Sequence, residues 1–293
     1  VSLLRQVRAC QQGAPGGRLP WRVAGRRMGW IEPELADRLA AFPEAFEVAN
    51  GEVALSGRLT TPDARSAALA EVATALAAEG VVPPLRGELY PLVRVWGEAP
   101  LLALDRALAP AFGFRDFGVH VNGLRWRGGE LHLWTARRAA DKATMPGKLD
   151  QMVGGGLPAG LSIAENLVKE CAEEAGLPGE LARRARPVGT VSFFGHWSGG
   201  NLDGLHDGVI FCFDLEMPED LEPRNTDGEV ESFALLPARE VLRLLRESEE
   251  FVYDVALVNI DCLIRHGVVT PAAEPGYIRP LRRPPPPPAA PAP

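Results

Sequence analysis

Apolar positions between Ala64 and Glu79 fall at Leu69, Val72 and Leu76 with alanines between them, the three-and-four spacing of a helix with one buried face. Pro83-Pro84 rules out its continuation. Upstream, WRVAGRRMGWI (21–31) reads as a short hairpin with Gly25 in its turn. LYPLVRVWG (89–97) predicts a strand, and Leu101 to Leu108 a short helix. The texture changes near Phe112. FGVHVNGLRW (117–126) and ELHLWTARR (130–138) are extended runs rich in Val, Leu and Trp; Gly128-Gly129 between them predicts a hairpin. QMVGGGLPAG (151–160) then leads into a helix from Ser162 to Glu174. Strand-like runs return at GTVSFFG (189–195) and GVIFCFDLEM (208–217). FALLPAREVLRLL (233–245) supplies a strand edge and a helix, and Phe251 to His266 a packed helix.

These patterns divide the chain into a flexible start over residues 1–20, a mixed α+β domain over 21–110, a larger domain over 111–279 and a tail over 280–293. The tail contains five consecutive prolines, which favour an extended, unpacked conformation. The formal net charge of -7 over 293 residues argues against a broad nucleic-acid surface, which needs clustered Lys and Arg. A phosphorylated small molecule needs only a few local cations. No run reaches the roughly 18 apolar residues that span a bilayer, and no secretory leader pattern is present, so no membrane partner and a cytoplasmic location are expected. Cys10, Cys171, Cys212 and Cys262 lie far apart without metal-ligand spacing and read as buried free thiols.

The chemistry concentrates in GGGLPAGLSIAENLVKECAEEAGL (154–177). Ser162 and Glu165 form a capping-box signature that sets the helix start, and Gly176 ends it. Glu170, Glu173 and Glu174 stand three and four apart, so they share a helix face. Three carboxylates so placed repel one another. Lys169, four residues before Glu173, offsets roughly 0.2–0.5 kcal/mol of that cost. A hard divalent cation would offset more, because it favours carboxylate and phosphate oxygens together.

With its glycine loop, this helix resembles the signature of Nudix hydrolases: a glycine, five residues, Glu, seven residues, then Arg-Glu-aliphatic-x-Glu-Glu-x-Gly-aliphatic. Gly155 starts it, and Lys169, Glu170, Cys171, Glu173, Glu174, Gly176 and Leu177 close it. Leu161 stands where the first Glu is expected, Lys169 replaces Arg, and Cys171 fills an aliphatic position. Segments 112–123, 135–160, 225–235 and 260–277 extend the resemblance to a subgroup related to the Nudix portion fused to thiamine pyrophosphokinase, which carries an additional N-terminal domain.

The resemblance implies an α/β fold, a Nudix α/β/α sandwich around a mixed sheet preceded by a smaller α+β domain. It also implies Mg2+, or Mn2+, held by Glu170, Glu173, Glu174 and the Gly155 carbonyl, with Glu170 orienting or deprotonating water. Asp227, Glu229 and Glu231 are candidates for a fourth carboxylate, and Glu229 is preferred. Arg137, Arg138, Lys142 and Lys148 cluster before the glycine loop as candidate phosphate contacts. His120 is either a histidine between strands or a substrate contact. His196 and His206 are weak metal-ligand candidates in GHWSGGNLDGLHDG (195–208), which resembles a mobile loop over the site.

The expected reaction is metal-dependent hydrolysis of a small organic diphosphate, with thiamine diphosphate or its oxidised analogues suggested by the subgroup. A nucleoside-diphosphate derivative is the alternative substrate, and a silent module binding a phosphorylated metabolite is the alternative function. The N-terminal domain could cap the site, contribute specificity or form a homodimer surface.

Overall fold

A computed structural model describes residues 2–142, 144–199 and 202–270, apart from the side chains of 197–199 and 202. The proline-rich tail lies outside the described residues. Helix α1 (Leu4–Ala9) comes first, followed by β1 (Leu19–Val23), β2 (Arg26–Ile31), α2 (Pro33–Leu39), β3 (Phe46–Ala49) and β4 (Glu52–Leu55). Next come α3 (Pro62–Ala78), β5 (Leu89–Pro91), β6 (Ala103–Asp105) and α4 (Ala109–Phe112). Strands β1 to β4 form one sheet in the order β2-β1-β4-β3, with α3 burying Leu69, Val72 and Leu76 in the adjoining core.

The second half contains β7 (Arg115–Arg127), β8 (Glu130–Arg138), β9 (Leu149–Gln151), β10 (Val153–Gly156), α5 (Ile163–Ala175) and α6 (Gly179–Ala182). It continues with β11 (Arg186–Gly199), β12 (Leu202–Glu216), β13 (Val230–Pro237), α7 (Ala238–Glu247) and α8 (Tyr253–Arg265). The sheet order is β11-β12-β7-β8-β13, with β10 joined to β7 and β9 to β8. Pairing of β12 with β7 is parallel and of β7 with β8 antiparallel, so the sheet is mixed.

Alternation along each strand feeds two cores. Ile210 and Cys212 of β12 pack with α1, α7 and α8, whereas Phe213 and Leu215 join Leu167, Cys171 and Ala175 of α5 on the other face. The result is the expected α/β/α sandwich.

Several local expectations change. The first residues are not a loose start. Leu3, Val7 and Cys10 are buried in the same core as α8, because α1 offers that core an apolar face. Only Leu89–Pro91 of the run 89–97 is strand, and 101–108 forms β6 followed by a single 3-10 turn over Arg106–Leu108 in place of a helix. There Asp105 accepts hydrogen bonds from the amides of Arg86, Gly87 and Ala107, an Asp-centred turn that competes with helix. Within the stretch 195–208, residues 195–199 belong to β11 and 202–208 to β12, two strands paired from Arg186–Asp214 to Gly199–Leu202; residues 200 and 201 lie outside the described residues. Gly195, Gly199, Gly204 and Gly208 tolerate extended backbone, and the β-rich residues on both sides decide the pairing.

Candidate active site

Ser162 accepts a hydrogen bond from the Glu165 amide at 3.2 Å while the Glu165 carboxylate accepts one from the Ser162 amide at 2.9 Å, so the capping box fixes the start of α5. Gly176 ends the helix in the left-handed region at φ 61°. Leu167, Cys171 and Ala175 anchor one side of α5 in the core, which turns Glu170 and Glu174 toward β10.

The glycines of β10 make that approach sterically feasible. A methyl group at Gly155 would stand 2.3 Å from the carboxyl carbon of Glu170. At Gly156 it would meet the Tyr90 hydroxyl at 1.6 Å, and at Gly154 the His120 ring at 3.2 Å. Each glycine thus admits a different polar side chain to the strand. Glu174 accepts a hydrogen bond from the Gly154 amide at 2.8 Å. Asn166 donates to the Gly156 carbonyl at 2.8 Å and ties the helix to the glycine loop. That tether was not anticipated. Its signal was a polar residue on the apolar side of α5, beside Leu167.

The charge balance is uneven. Lys169 lies 3.2 Å from Glu170 and 2.6 Å from Glu173, as its spacing predicts. Burial pushes the Glu174 carboxyl well above the ordinary range; the Gly154 amide opposes this, while Asp150 and Glu170 add to it. Burial also raises Glu170, against the pull of Lys169. Glu173 is exposed. A buried and a half-buried carboxyl therefore share a glycine strand with one neighbouring ammonium. This oxygen-only donor set fits a divalent cation.

Beside the strand lies a cleft of about 620 Å³, part of it open to solvent, lined by Gly154, Gly155 and Gly156. Tyr90, His120, Arg138, Asp150 and Asp254 also line it, as do Asp116 and His206. Tyr90 comes from β5, whose Leu89 carbonyl accepts the Ala159 amide at 2.7 Å, so the N-terminal half contributes directly to the site.

The candidate cations separate. Arg138 faces the cleft and reaches Asp150 at 2.6 Å. Arg137, its neighbour on β8, does not join it: strand alternation sends it to the opposite face, where it donates to the Gly147 carbonyl at 2.7 Å and lies 3.6 Å from Glu250. Lys148 likewise turns away, to the Glu249 carbonyl. Lys142 pairs with Glu229, so neither is a free group aimed at the glutamates. Partial burial pushes Glu229 up, but Lys142, with Arg106 and Arg138, more than reverses this and holds it below the usual carboxylate range.

Asp227 accepts the Glu229 amide at 2.9 Å in an exposed turn, and Glu231 is exposed. His196 is exposed, whereas His206 contacts Tyr253 and Asp116, the latter at 2.9 Å. Asp116, Asp150 and Asp254 were not singled out from sequence, because single aspartates 34 and 104 positions apart carry no local spacing signal.

A glutamate-bearing helix capped against a glycine strand, on one face of a mixed sheet between helical layers, defines a Nudix-type site. The NUDIX domain model matches residues 116–255, and a model described as a domain of unknown function (DUF4743) matches residues 2–116. "Nudix hydrolase 24, chloroplastic" of Arabidopsis thaliana is 39% identical over 97% of this chain and 77% of its own length. "Nudix hydrolase 20, chloroplastic" of the same plant is 37% identical over 95% of this chain and 76% of its own. "Uncharacterized protein YJR142W" of Saccharomyces cerevisiae is 32% identical over 83% of this chain and 74% of its own. The chain belongs to the Nudix hydrolase family, whose members generally hydrolyse diphosphate substrates with a divalent metal.

Proposed function

We propose that this protein hydrolyses a small organic diphosphate to its monophosphate and phosphate, and that thiamine diphosphate or an oxidised analogue is the substrate. One observation carries the reaction: Glu170 and Glu174 meet the glycine strand at Gly155 and Gly154, beside a cleft able to hold the organic part. The substrate choice rests on the resemblance of segments 112–123, 135–160 and 260–277 to the thiamine-associated subgroup.

Glu170, Glu173, Glu174 and the Gly155 carbonyl would hold Mg2+, with Mn2+ as a substitute. When bound, such an ion neutralises non-bridging phosphate oxygens and activates water. Glu170 is the group assigned to orient that water, because it is buried and lies against Gly155. Its raised proton affinity suits a base once a cation balances its neighbours. Arg138 is the candidate phosphate contact on the cleft side, held in place by Asp150. Glu229, paired with Lys142, supports the neighbouring turn in this reading.

The test is turnover of thiamine diphosphate, oxidised thiamine diphosphates, nucleoside diphosphates and sugar nucleotides with and without Mg2+, with products resolved by mass. Selective, metal-dependent release of thiamine monophosphates is expected. Conversion of a nucleotide instead keeps the reaction and discards the substrate. No turnover of any compound with either metal overturns the enzymatic reading in favour of a silent binding module.

A further inference from the structure

Strands β5 and β6 of the N-terminal half pair antiparallel, with Leu89 opposite Asp105 and Tyr90 opposite Leu104. The pairing sets Glu88 beside Arg106, just past the end of β6. The Arg106 amide donates to the Glu88 carbonyl at 2.9 Å, and the two side chains form an ion pair at 2.8 Å. Asp105 accepts the amides of Arg86, Gly87 and Ala107, so the backbone that carries Arg106 is fixed on both sides. Tyr90 is 7% exposed; its hydroxyl lies against Gly156 and accepts a hydrogen bond from Arg106.

These contacts carry an arginine of the N-terminal half to the carboxylates of the Nudix half. Partial burial works against the Arg106 charge, and Tyr90, Glu88 and Glu229 together outweigh it. Glu170, raised first by burial, also feels the charge of Glu88. The Arg106 side chain is still 43% exposed. Of its five donors, Glu88 and the Tyr90 hydroxyl leave some over for an incoming oxygen.

An organic diphosphate brings more negative charge than one divalent ion cancels, so cations of the protein are needed as well. Arg137 and Lys148 turn away from the glutamates, and Arg138 is held between Asp150 and the Thr144 carbonyl. Lys142 is paired with Glu229 and offers a point charge only. Arg106 offers a planar fork that can place two hydrogen bonds on one phosphate. We propose that Arg106 binds non-bridging phosphate oxygens of the substrate, so that the N-terminal domain, matched over residues 2–116 by a model of unknown function, supplies a cation to the hydrolytic site. Glu88 and Tyr90 are then positioning residues: Glu88 aims the guanidinium, and Tyr90 fixes it against Gly156. The proposal rests on the hydrolysis of a diphosphate and assigns the N-terminal half a part in it.

The experiment compares wild type, Arg106→Lys and Arg106→Ala as full chains with Mg2+. Two quantities are read: kcat/KM on the diphosphate that wild type converts fastest, and calorimetric binding of methylenediphosphonate, which needs no turnover. Arg106→Ala should lower kcat/KM about 100-fold, typical of losing one preorganised donor to transition-state charge, and weaken methylenediphosphonate about tenfold. Arg106→Lys keeps the charge without the fork and should recover only part of each loss. Millimolar guanidinium ion should restore turnover to Arg106→Ala and leave wild type unchanged. A residue that merely packs Glu88 and Tyr90 in place would show no such rescue.

Methylenediphosphonate bound equally by wild type and Arg106→Ala overturns the proposal while hydrolysis stands. If Arg106→Ala does not melt cooperatively, Arg106→Lys decides by the same comparison. Absence of all diphosphate turnover, with methylenediphosphonate binding that still depends on Arg106, would instead remove the hydrolytic reading and leave the arginine assignment supported. No binding of methylenediphosphonate by wild type overturns the assignment outright.

Discussion

Acidic side chains gather on both faces of the large sheet, and their surroundings differ. On the α8 face, Asp214 is 2% exposed and receives Arg265 at 2.6 and 3.0 Å, His266 at 2.9 Å and Asn122 at 2.9 Å. Burial alone would raise its pKa, but these partners together hold it down at about 2. Arg265 also binds Asp261 at 2.7 Å. Asp214, Cys262 and His266 are ligand types that converge within 4.8 Å, yet the Arg265 guanidinium already occupies the space beside the carboxylate. On the α5 face, Glu170 and Glu174 have one ammonium, Lys169, and one amide, Gly154, between them, and their proton affinities rise. The first cluster closes on itself and fastens β12 to α8. The second is left short of positive charge, which suits an ion and a phosphate supplied from outside. A concentration of carboxylates is therefore uninformative until its cations are located.

The sharpest way to break this contrast is to remove the closed cluster. Asp214→Ala should destabilise the fold by about 3 kcal/mol, because it leaves the half-buried His266 without its carboxylate partner and Arg265 with Asp261 alone. Denaturant unfolding reads the loss, and the folded fraction should keep its kcat. Glu174→Gln should do the opposite. Turnover should fall on the order of 100- to 1,000-fold, roughly 2.7–4 kcal/mol in the barrier, while the melting temperature without metal holds or rises. Retention of turnover by Glu174→Gln would remove it from the metal set.

Acidity separates the clusters next. Glu170 and Glu174 bind protons more readily in the fold than in the unfolded chain. Metal-free protein should therefore gain stability as pH falls from neutrality toward the unfolded carboxyl value of about 4.3, and lose it as pH rises through the raised folded values. Asp214, lowered to about 2, stabilises above the unfolded value of about 3.9, and that contribution is lost as pH falls from there through 2. A melting-temperature profile from pH 8 to pH 3 should accordingly pass through a maximum, and added Mg2+ should flatten its neutral side. A profile that instead declines steadily from pH 7 downward would contradict the uncompensated state of the glutamates.

The smallest effect belongs to Tyr90, whose hydroxyl lies against Gly156 from the N-terminal half. Tyr90→Phe should cost under about 1 kcal/mol in stability, typical of a single hydroxyl contact. It should change KM more than kcat, as measured by steady-state kinetics.

Much of the glutamate-bearing helix α5 was legible because its determinants are local. Ser162 and Glu165 set its start, Gly176 its end, and the three-and-four spacing of Glu170, Glu173 and Glu174 follows from helical geometry. The β7–β8 hairpin was equally local, with Gly128 at φ 57° and Gly129 at φ 81° making the turn. The cation cluster was misleading for the opposite reason. Arg137 and Arg138 are adjacent in sequence and so point to opposite faces of β8, and only pairing with β9 and β13 decides which face meets the site.

The sequence by itself determined the helix with its caps and the alternating runs of the sheet, because each depends on residues within one or two turns, whereas the glycines before the helix read as a loop and become a strand only by pairing with β7. Only the tertiary structure decided which carboxylates go uncompensated. Asp116, Asp150 and Asp254 reach one cleft from three separate elements, Tyr90 enters it from the other half of the chain, and Arg265 reaches Asp214 across 51 positions. Charge compensation acts over a few ångströms of space, and spacing along the chain records such distances only where the backbone repeats regularly.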